Sequence, residues 1–160
     1  MINVQPFSPE YAGQIYDFIL HIQQKEFGLP VTREQQPDLA DIPGVYQQGI
    51  SNFWIAEHNG RLIGTISLMD LGEGKGALRK MFVHQDYRGR EHGVALRLLE
   101  ALKEWARTHE YSDIYLGTAE ILHAAHRFYE KNGFVQVERN VIPDGPYIMP
   151  VDKKFYHYQL

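Results

Sequence analysis

The chain contains no cysteine. Disulfides, cysteine-ligated zinc, iron–sulfur clusters and a thiol nucleophile are therefore excluded. Nowhere do about 18 apolar residues run together, the length a helix needs to cross a bilayer. Positive charge is not in excess either: Lys+Arg 16 against Asp+Glu 20 leave a net charge of −4. A protein gripping nucleic acid through its phosphates would need a basic surface, so that class is not expected. The stretch Met1-Ile2-Asn3-Val4-Gln5-Pro6 lacks the basic start and apolar core of a signal peptide, which leads us to expect a cytoplasmic protein. There is no internal repeat, low-complexity tract or dividing linker, and 160 residues are expected to make a single domain, 1–160.

What is present is patterned. Ile2 to Phe7 alternates loosely and gives way at Ser8-Pro9-Glu10 to a helix start, with Ile15, Phe18, Ile19 and Ile22 at helical spacing as far as Phe27. Gly28-Leu29-Pro30 ends that helix. Phe53 to Glu57 and Leu62 to Met69 are strand-like runs joined by His58-Asn59-Gly60-Arg61; Asn-Gly at such a junction predicts a tight hairpin. A third strand, Ala77 to Val83, follows the turn Leu71 to Gly76. A long helix is expected from His92 to Thr108, with the stripe Val94, Leu98, Leu102 and Trp105 broad enough to lie on a sheet. Ile114 to Leu116, a helix over Leu122 to Lys131, and strands at Phe134 to Val137 and Lys154 to Tyr158 complete the chain. That order predicts a mostly antiparallel sheet with one parallel crossover around the long helix.

Gly72-x-Gly74-x-Gly76 superficially resembles a dinucleotide loop, but it precedes a strand, so no helix N-terminus could receive a pyrophosphate and a hairpin turn is the better reading. Val83 to Val94 differs. A strand ends, a loop rich in Gly and Arg follows, and a helix begins, which brings unpaired backbone N–H groups and the positive end of the helix dipole together. This is a candidate anion site; an ordinary helix start with solvated arginines is the alternative. The Gly-Lys-Ser/Thr ending of a nucleoside triphosphatase loop is absent from Gly93-Val94-Ala95. His123 and His126 sit three apart on one helix, but no third ligand lies at motif spacing, so both are expected to be surface histidines and no metal site is expected.

Together, Met81-Phe82-Val83, Tyr87-Arg88-Gly89-Arg90-Glu91-His92-Gly93-Val94-Ala95 with Leu98-Leu99, and Ala125-His126-Arg127-Phe128-Tyr129-Glu130-Lys131-Asn132-Gly133-Phe134 resemble the GCN5-related N-acetyltransferases, the GNAT family. The resemblance implies an α/β (α+β) acyl-CoA N-acyltransferase fold, a central mixed, mostly antiparallel sheet flanked by helices. It implies acetyl-CoA as cosubstrate, no metal, and a small-molecule or peptide amine as acceptor. Neither nucleic acid nor membrane is an expected partner, and a homodimer is left open. The family's Arg/Gln-x-x-Gly-x-Gly/Ala loop, which wraps the pyrophosphate of acetyl-CoA with backbone amides, falls on Arg88, Glu91 and Gly93. The expected cofactor-binding loop is thus Arg88, Gly89, Arg90, Glu91, His92, Gly93 and Val94, with Glu91 standing where the family has glycine. Met81, Phe82 and Val83 are expected to splay from the neighbouring strand and bond the pantetheine arm. Tyr129 takes the position of the acid for the departing thiolate, and the Asn often found seven residues earlier is Leu122 here.

Direct transfer needs a neutral amine. At a pKa near 10.4, deprotonation at pH 7 costs about 4.6 kcal/mol, so a base or water chain helps. A backbone N–H near Phe82 is the expected donor to the thioester carbonyl. Glu73 and His84 flank the third strand and are the candidate bases, although each also suits a solvated loop. Glu34, Asp38 and Asp41, in the segment expected to wall the acceptor site, favour a cationic acceptor. The rival from another class is a non-catalytic acyl-CoA-binding sensor or interaction protein, favoured by Glu91 and Leu122 and opposed by Tyr129. Another acyl group or a hydroxyl acceptor fits the same motifs.

Overall fold

The computed structural model describes residues 1–160. Seven strands, β1 (Ile2–Pro6), β2 (Asn52–His58), β3 (Arg61–Gly72), β4 (Lys75–Val83), β5 (Asp113–Ala119), β6 (Val135–Val137) and β7 (Asp152–Gln159), form one sheet in the order β1-β2-β3-β4-β5-β7-β6. Every neighbouring pair is antiparallel except β4 and β5, which are joined by the crossover carrying α3 (Val94–Thr108). On one face α3 buries Val94, Leu98, Leu99 and Leu102 against Trp54, Ile63 and Ile66, with Tyr129 of α4 (His123–Lys131) in the same cluster. On the other, α1 (Ala12–Leu20) and α2 (Ile42–Tyr46) cover Phe53, Ile55 and Leu62 with Ile15, Ile19, Ile42 and Tyr46. Each such side chain contributes about 1.5–3 kcal/mol on burial. The mixed sheet between two helical layers is the architecture expected from the sequence.

Both short hairpins are closed by two residues with positive φ, Asn59 (53°) and Gly60 (79°) in one, Glu73 (56°) and Gly74 (77°) in the other. That twist matches the twist of the flanking strands. The third glycine of the Gly72-x-Gly74-x-Gly76 run serves a different end. Gly76 lies where β4 meets β5, and a Cβ there would stand 2.7 Å from Leu68 Cδ1 and 2.8 Å from Tyr111 Cε1. Gly76→Ala is expected to destabilise the protein by about 1–3 kcal/mol through overpacking, read as a lowered midpoint in urea with an unchanged slope.

Two departures from the sequence reading shape the site. The first helix is not one α-helix to Phe27: a 3₁₀ turn (Pro9–Tyr11) leads into α1, and residues His21–Glu26 widen into π geometry. The wider turn buries two successive side chains, Ile22 and Gln23. The second departure lies in β4. Lys80 and Met81 together oppose the single residue Ile66 of β3, and Lys80 has φ of 56°. Such a bulge bends the strand that carries it. The β4–β5 ladder ends accordingly at Ala77↔Tyr115, while β4 stays paired with β3 to Val83 and β5 with β7 to Ala119. The left-handed backbone at Lys80 costs about 1–2 kcal/mol for a residue with a side chain. The bulge is fastened by Thr65 Oγ1 donating to Lys80 O (2.6 Å) and Ser67 Oγ to Arg79 O (2.8 Å).

Candidate active site

The parting of β4 and β5 opens a gap in the middle of the sheet, and two cavities occupy it. One measures about 290 Å³, the other about 110 Å³. They share Leu29, Met81, Phe82, Leu122, Ala125 and Tyr129 as walls. The larger is apolar, faced by Ile22, Phe27, Val83, Ala95 and Phe128, and ends at Arg88 and Gly89. The smaller also has mostly apolar walls but carries the charged groups, with Arg79, Lys80, Thr118, Tyr147 and Asp152 facing it. Met81, Phe82 and Val83 thus line the gap with no strand pairing on their β5 side.

At the far end of the larger cavity the chain runs from Val83 through a 3₁₀ turn (Gln85–Tyr87) into α3. Gly89 (φ 102°) and Gly93 (φ 61°) take backbone shapes that side-chain-bearing residues rarely adopt, and Gly93 sits at the N-cap of α3. The N–H groups of Arg90, Glu91, His92, Val94, Ala95 and Leu96 donate to no protein group. A helix start leaves its first-turn donors free at the positive end of the dipole, where an anion is favoured. The Glu91 side chain is 85% exposed and Arg90 is also exposed, so neither shields those amides. His92 packs its ring against Tyr87 at 5.3 Å. Arg88 is not free. Its Nε donates to Val83 O at 2.8 Å and its Nη2 to Glu26 Oε1 at 2.9 Å, while Nη1 pairs with Glu26 Oε2. The loop is thereby tied to the end of the π turn across 62 residues of sequence.

Tyr129 stands where the two cavities meet. It is 6% exposed, packed against Phe134 and Tyr156, and its hydroxyl makes no hydrogen bond to a protein group. Burial pushes its phenol well above the ordinary tyrosine range, and the nearby Asp152 and Tyr156 add to that. The group is a neutral O–H at any pH where the protein works.

Other sequence expectations meet different outcomes. Glu73 is exposed at the tip of the β3–β4 hairpin, and His84 lies beside Arg61, its Nε2 3.0 Å from Nη2; neither lines the gap. The acidic wall is already engaged. Asp38 accepts from Tyr46 OH at 2.6 Å and lies 3.6 Å from Arg79 and 3.5 Å from Lys80, while Asp41 caps α2 by accepting from Gly44 N at 3.0 Å. Glu34 and Asp41 are both exposed, neither lines the gap, and the case for a cationic acceptor falls with that. His126 is not a surface residue: it is buried, its Nε2 lies 3.0 Å from Ala119 O, and burial lowers its pKa. Its 3.6-residue phase turns it toward the sheet while His123 stays exposed. The sequence reading passed over Arg79, Lys80 and Asp152, which no local motif flags.

A family model described as Acetyltransferase (GNAT) family matches residues 16–134. The chain belongs to the GNAT family. Its fold is close to that of a GNAT-family acetyltransferase from Staphylococcus aureus Mu50, with a TM-score of 0.95 and 33% identity over 99% of both chains. PaiA N-acetyltransferase from Thermoplasma acidophilum, solved in complex with coenzyme A, shares the fold at a TM-score of 0.77 and 15% identity, covering 100% of this chain and 99% of that one. Among curated relatives, N-acetylaspartate synthetase of Xenopus tropicalis is 36% identical over 111 residues, 66% of this GNAT chain and 40% of that protein. This chain thus spans less than half the length of the first curated relatives it matches. No helix is long and apolar enough to cross a membrane.

Proposed function

We propose that residues 1–160 act as one N-acetyltransferase domain that moves the acetyl group of acetyl-CoA directly to a small-molecule or peptide amine. One observation carries the reading: an apolar cavity that ends near the unpaired amides before α3, and a smaller cavity carrying charged groups, share Tyr129 as a wall inside the β4–β5 gap. Acetyl-CoA supplies the activated acyl group as a thioester. The residues present fit it. The amides from Arg90 to Leu96 suit a pyrophosphate, with Arg88, Gly89 and Gly93 shaping the loop around it. Met81, Phe82 and Val83 offer free strand-edge groups to the amides of an extended arm, and an N–H near Phe82 can bond the acyl oxygen as charge develops there. Tyr129 is the donor at the leaving sulfur. Structural neighbours with coenzyme A bound support the same cosubstrate. The sensor alternative loses one of its two supports, because Glu91 faces solvent; Leu122 remains as a wall of both cavities.

Acetyl-CoA alone, without any acceptor, is expected to bind and to stabilise the fold. At a hundredfold excess over Kd the gain is about 2.7 kcal/mol, visible as a raised melting temperature. A flat calorimetric titration with an unchanged melt at millimolar acetyl-CoA would end the reading. Release of CoA thiol upon adding amines separates enzyme from sensor, and a chain without cysteine gives a thiol dye no background.

A further inference from the structure

We infer that the acceptor is a small amine bearing a carboxylate, that Arg79 and Lys80 hold this carboxylate, and that Asp152 takes the proton from its ammonium group. The inference rests on the acetyl-transfer reading and concerns the smaller, charge-bearing cavity of the same site. That cavity measures about 110 Å³, well below the roughly 300–1,000 Å³ of pockets for drug-sized ligands, so a small acceptor fits it.

The charged groups lining the cavity are only partly paired with one another. Two nearly buried cations, Arg79 with a side chain 12% exposed and Lys80 at 3%, share one protein carboxylate, Asp38. Lys80 Nζ also donates to Gln36 Oε1 at 2.7 Å, and Arg79 Nη1 to Tyr46 OH at 3.0 Å. Nε and Nη2 of Arg79 donate to nothing in the protein. That edge is left open to the cavity rather than buried without a partner, and a planar carboxylate is the group to which it can donate in bidentate fashion. In the same cavity, Asp152 Oδ2 accepts from Met149 N at 2.9 Å and rests against Gly117, where a Cβ would come within 2.9 Å of it. Oδ1 has no hydrogen-bond partner, and Asp152 is in no ion pair. Burial raises its carboxyl pKa, against the pull of Arg79 and Lys80, which suits a proton acceptor. A cavity that offers both a cationic pair with a free guanidinium edge and a free carboxylate oxygen is complementary to a zwitterion.

The proton balance closes within these groups. Asp152 takes one proton from the ammonium; the neutral nitrogen forms the C–N bond as the C–S bond breaks. Tyr129 gives its proton to the thiolate and recovers one from the nitrogen. The proton on Asp152 is the one released to solvent.

The test has two arms. In the first, acetyl-CoA binding is measured by calorimetry, which judges the parent reading alone. In the second, CoA release is followed for glycine, L-aspartate and L-glutamate against methylamine and the corresponding amino acid amides. L-Aspartate is also titrated into the CoA-bound protein, where no transfer is possible. Expected are a preference of at least tenfold in kcat/KM for the carboxylated amines and measurable binding to the CoA complex. Arg79→Lys keeps the charge beside Asp38 but loses the fork; it should weaken amino acid binding at least tenfold and leave acetyl-CoA affinity unchanged. Asp152→Asn keeps the Met149 contact and should lower kcat at least a hundredfold with amino acid binding within about threefold of the parent. Acetyl-CoA binding accompanied by equal or better use of amines without a carboxylate, or by no use of any carboxylated amine, overturns the inference and leaves the acetyl-CoA site standing. Unaltered amino acid binding by Arg79→Lys, with an unaltered melt, overturns it equally.

Discussion

Tyr129→Phe is expected to lower kcat about 10²–10⁴-fold while acetyl-CoA affinity and melting temperature stay close to the parent's. The surroundings of the side chain make this a clean substitution. The ring is buried among Phe134 and Tyr156, contacts that phenylalanine retains, and the hydroxyl has no protein partner to be orphaned. A packed tyrosine whose oxygen served the fold would bond to something, and its loss would cost about 0.5–1.5 kcal/mol of stability. Here the oxygen bonds to no protein group, and the residue lines both cavities. Its raised pKa also bears on how it works. Moving a proton from an ordinary phenol near 10 to a thiolate near 8.5 costs about 2 kcal/mol, and burial of Tyr129 increases that. In the proposed role the hydroxyl would act first as a hydrogen-bond donor to the charge growing on sulfur, with proton transfer completing as the amine nitrogen gives up its own. Since the raised pKa keeps the phenol protonated, kcat should not fall on the alkaline side through Tyr129 anywhere below about pH 10. Turnover of the variant within about threefold of the parent removes Tyr129 from the catalytic role.

Much of this arrangement is legible in residue order because it depends on local rules. Asn59-Gly60 announces its hairpin, the Val94-Leu98-Leu102 stripe announces a helix lying on a sheet, and the alternation of strands and helices dictates one parallel pair. The gap that makes the site is not local. Lys80 adopts φ of 56° without being glycine, asparagine or aspartate, and it does so because Thr65 and Ser67, on the next strand, hold the bulge carbonyls. Asp38 looks like an acidic surface residue until Arg79 and Lys80 arrive beside it from about 40 positions away. Arg88 looks free until it meets Glu26. Each of these is a pairing of distant residues in a tertiary fold, and pattern within one segment carries no record of it. Tyr129 was recoverable from its segment only because the segment resembles a family; as a lone helical tyrosine next to Phe128 it has the look of core.

Gly93→Asp is expected to weaken acetyl-CoA binding more than a hundredfold, whereas Glu91→Gly leaves it within about threefold or tightens it. The fold itself should withstand the first change. A Cβ at Gly93 would meet nothing nearer than Arg90 O at 3.9 Å, so the obstacle is the left-handed backbone (φ 61°), at about 1–2 kcal/mol. Aspartate tolerates that region better than most residues, and its negative charge beside the positive end of the helix dipole offsets part of the cost. That same charge is what ruins the site. The new carboxylate stands beside the free first-turn amides of α3, in the way of the phosphate those amides would bind. It also faces that phosphate with like charge, worth about 4 kcal/mol for unit charges 4 Å apart at an effective dielectric of 20. Glu91, by contrast, sends its charge into water, where screening leaves it little influence, so removing it gains a small electrostatic benefit against the added backbone freedom of glycine. Gly93→Ala completes the comparison, carrying the backbone strain without the charge: it should melt no higher than Gly93→Asp yet bind acetyl-CoA more tightly. Parent-like affinity in Gly93→Asp, measured by calorimetric titration on protein with a cooperative melt, would move the pyrophosphate away from this loop.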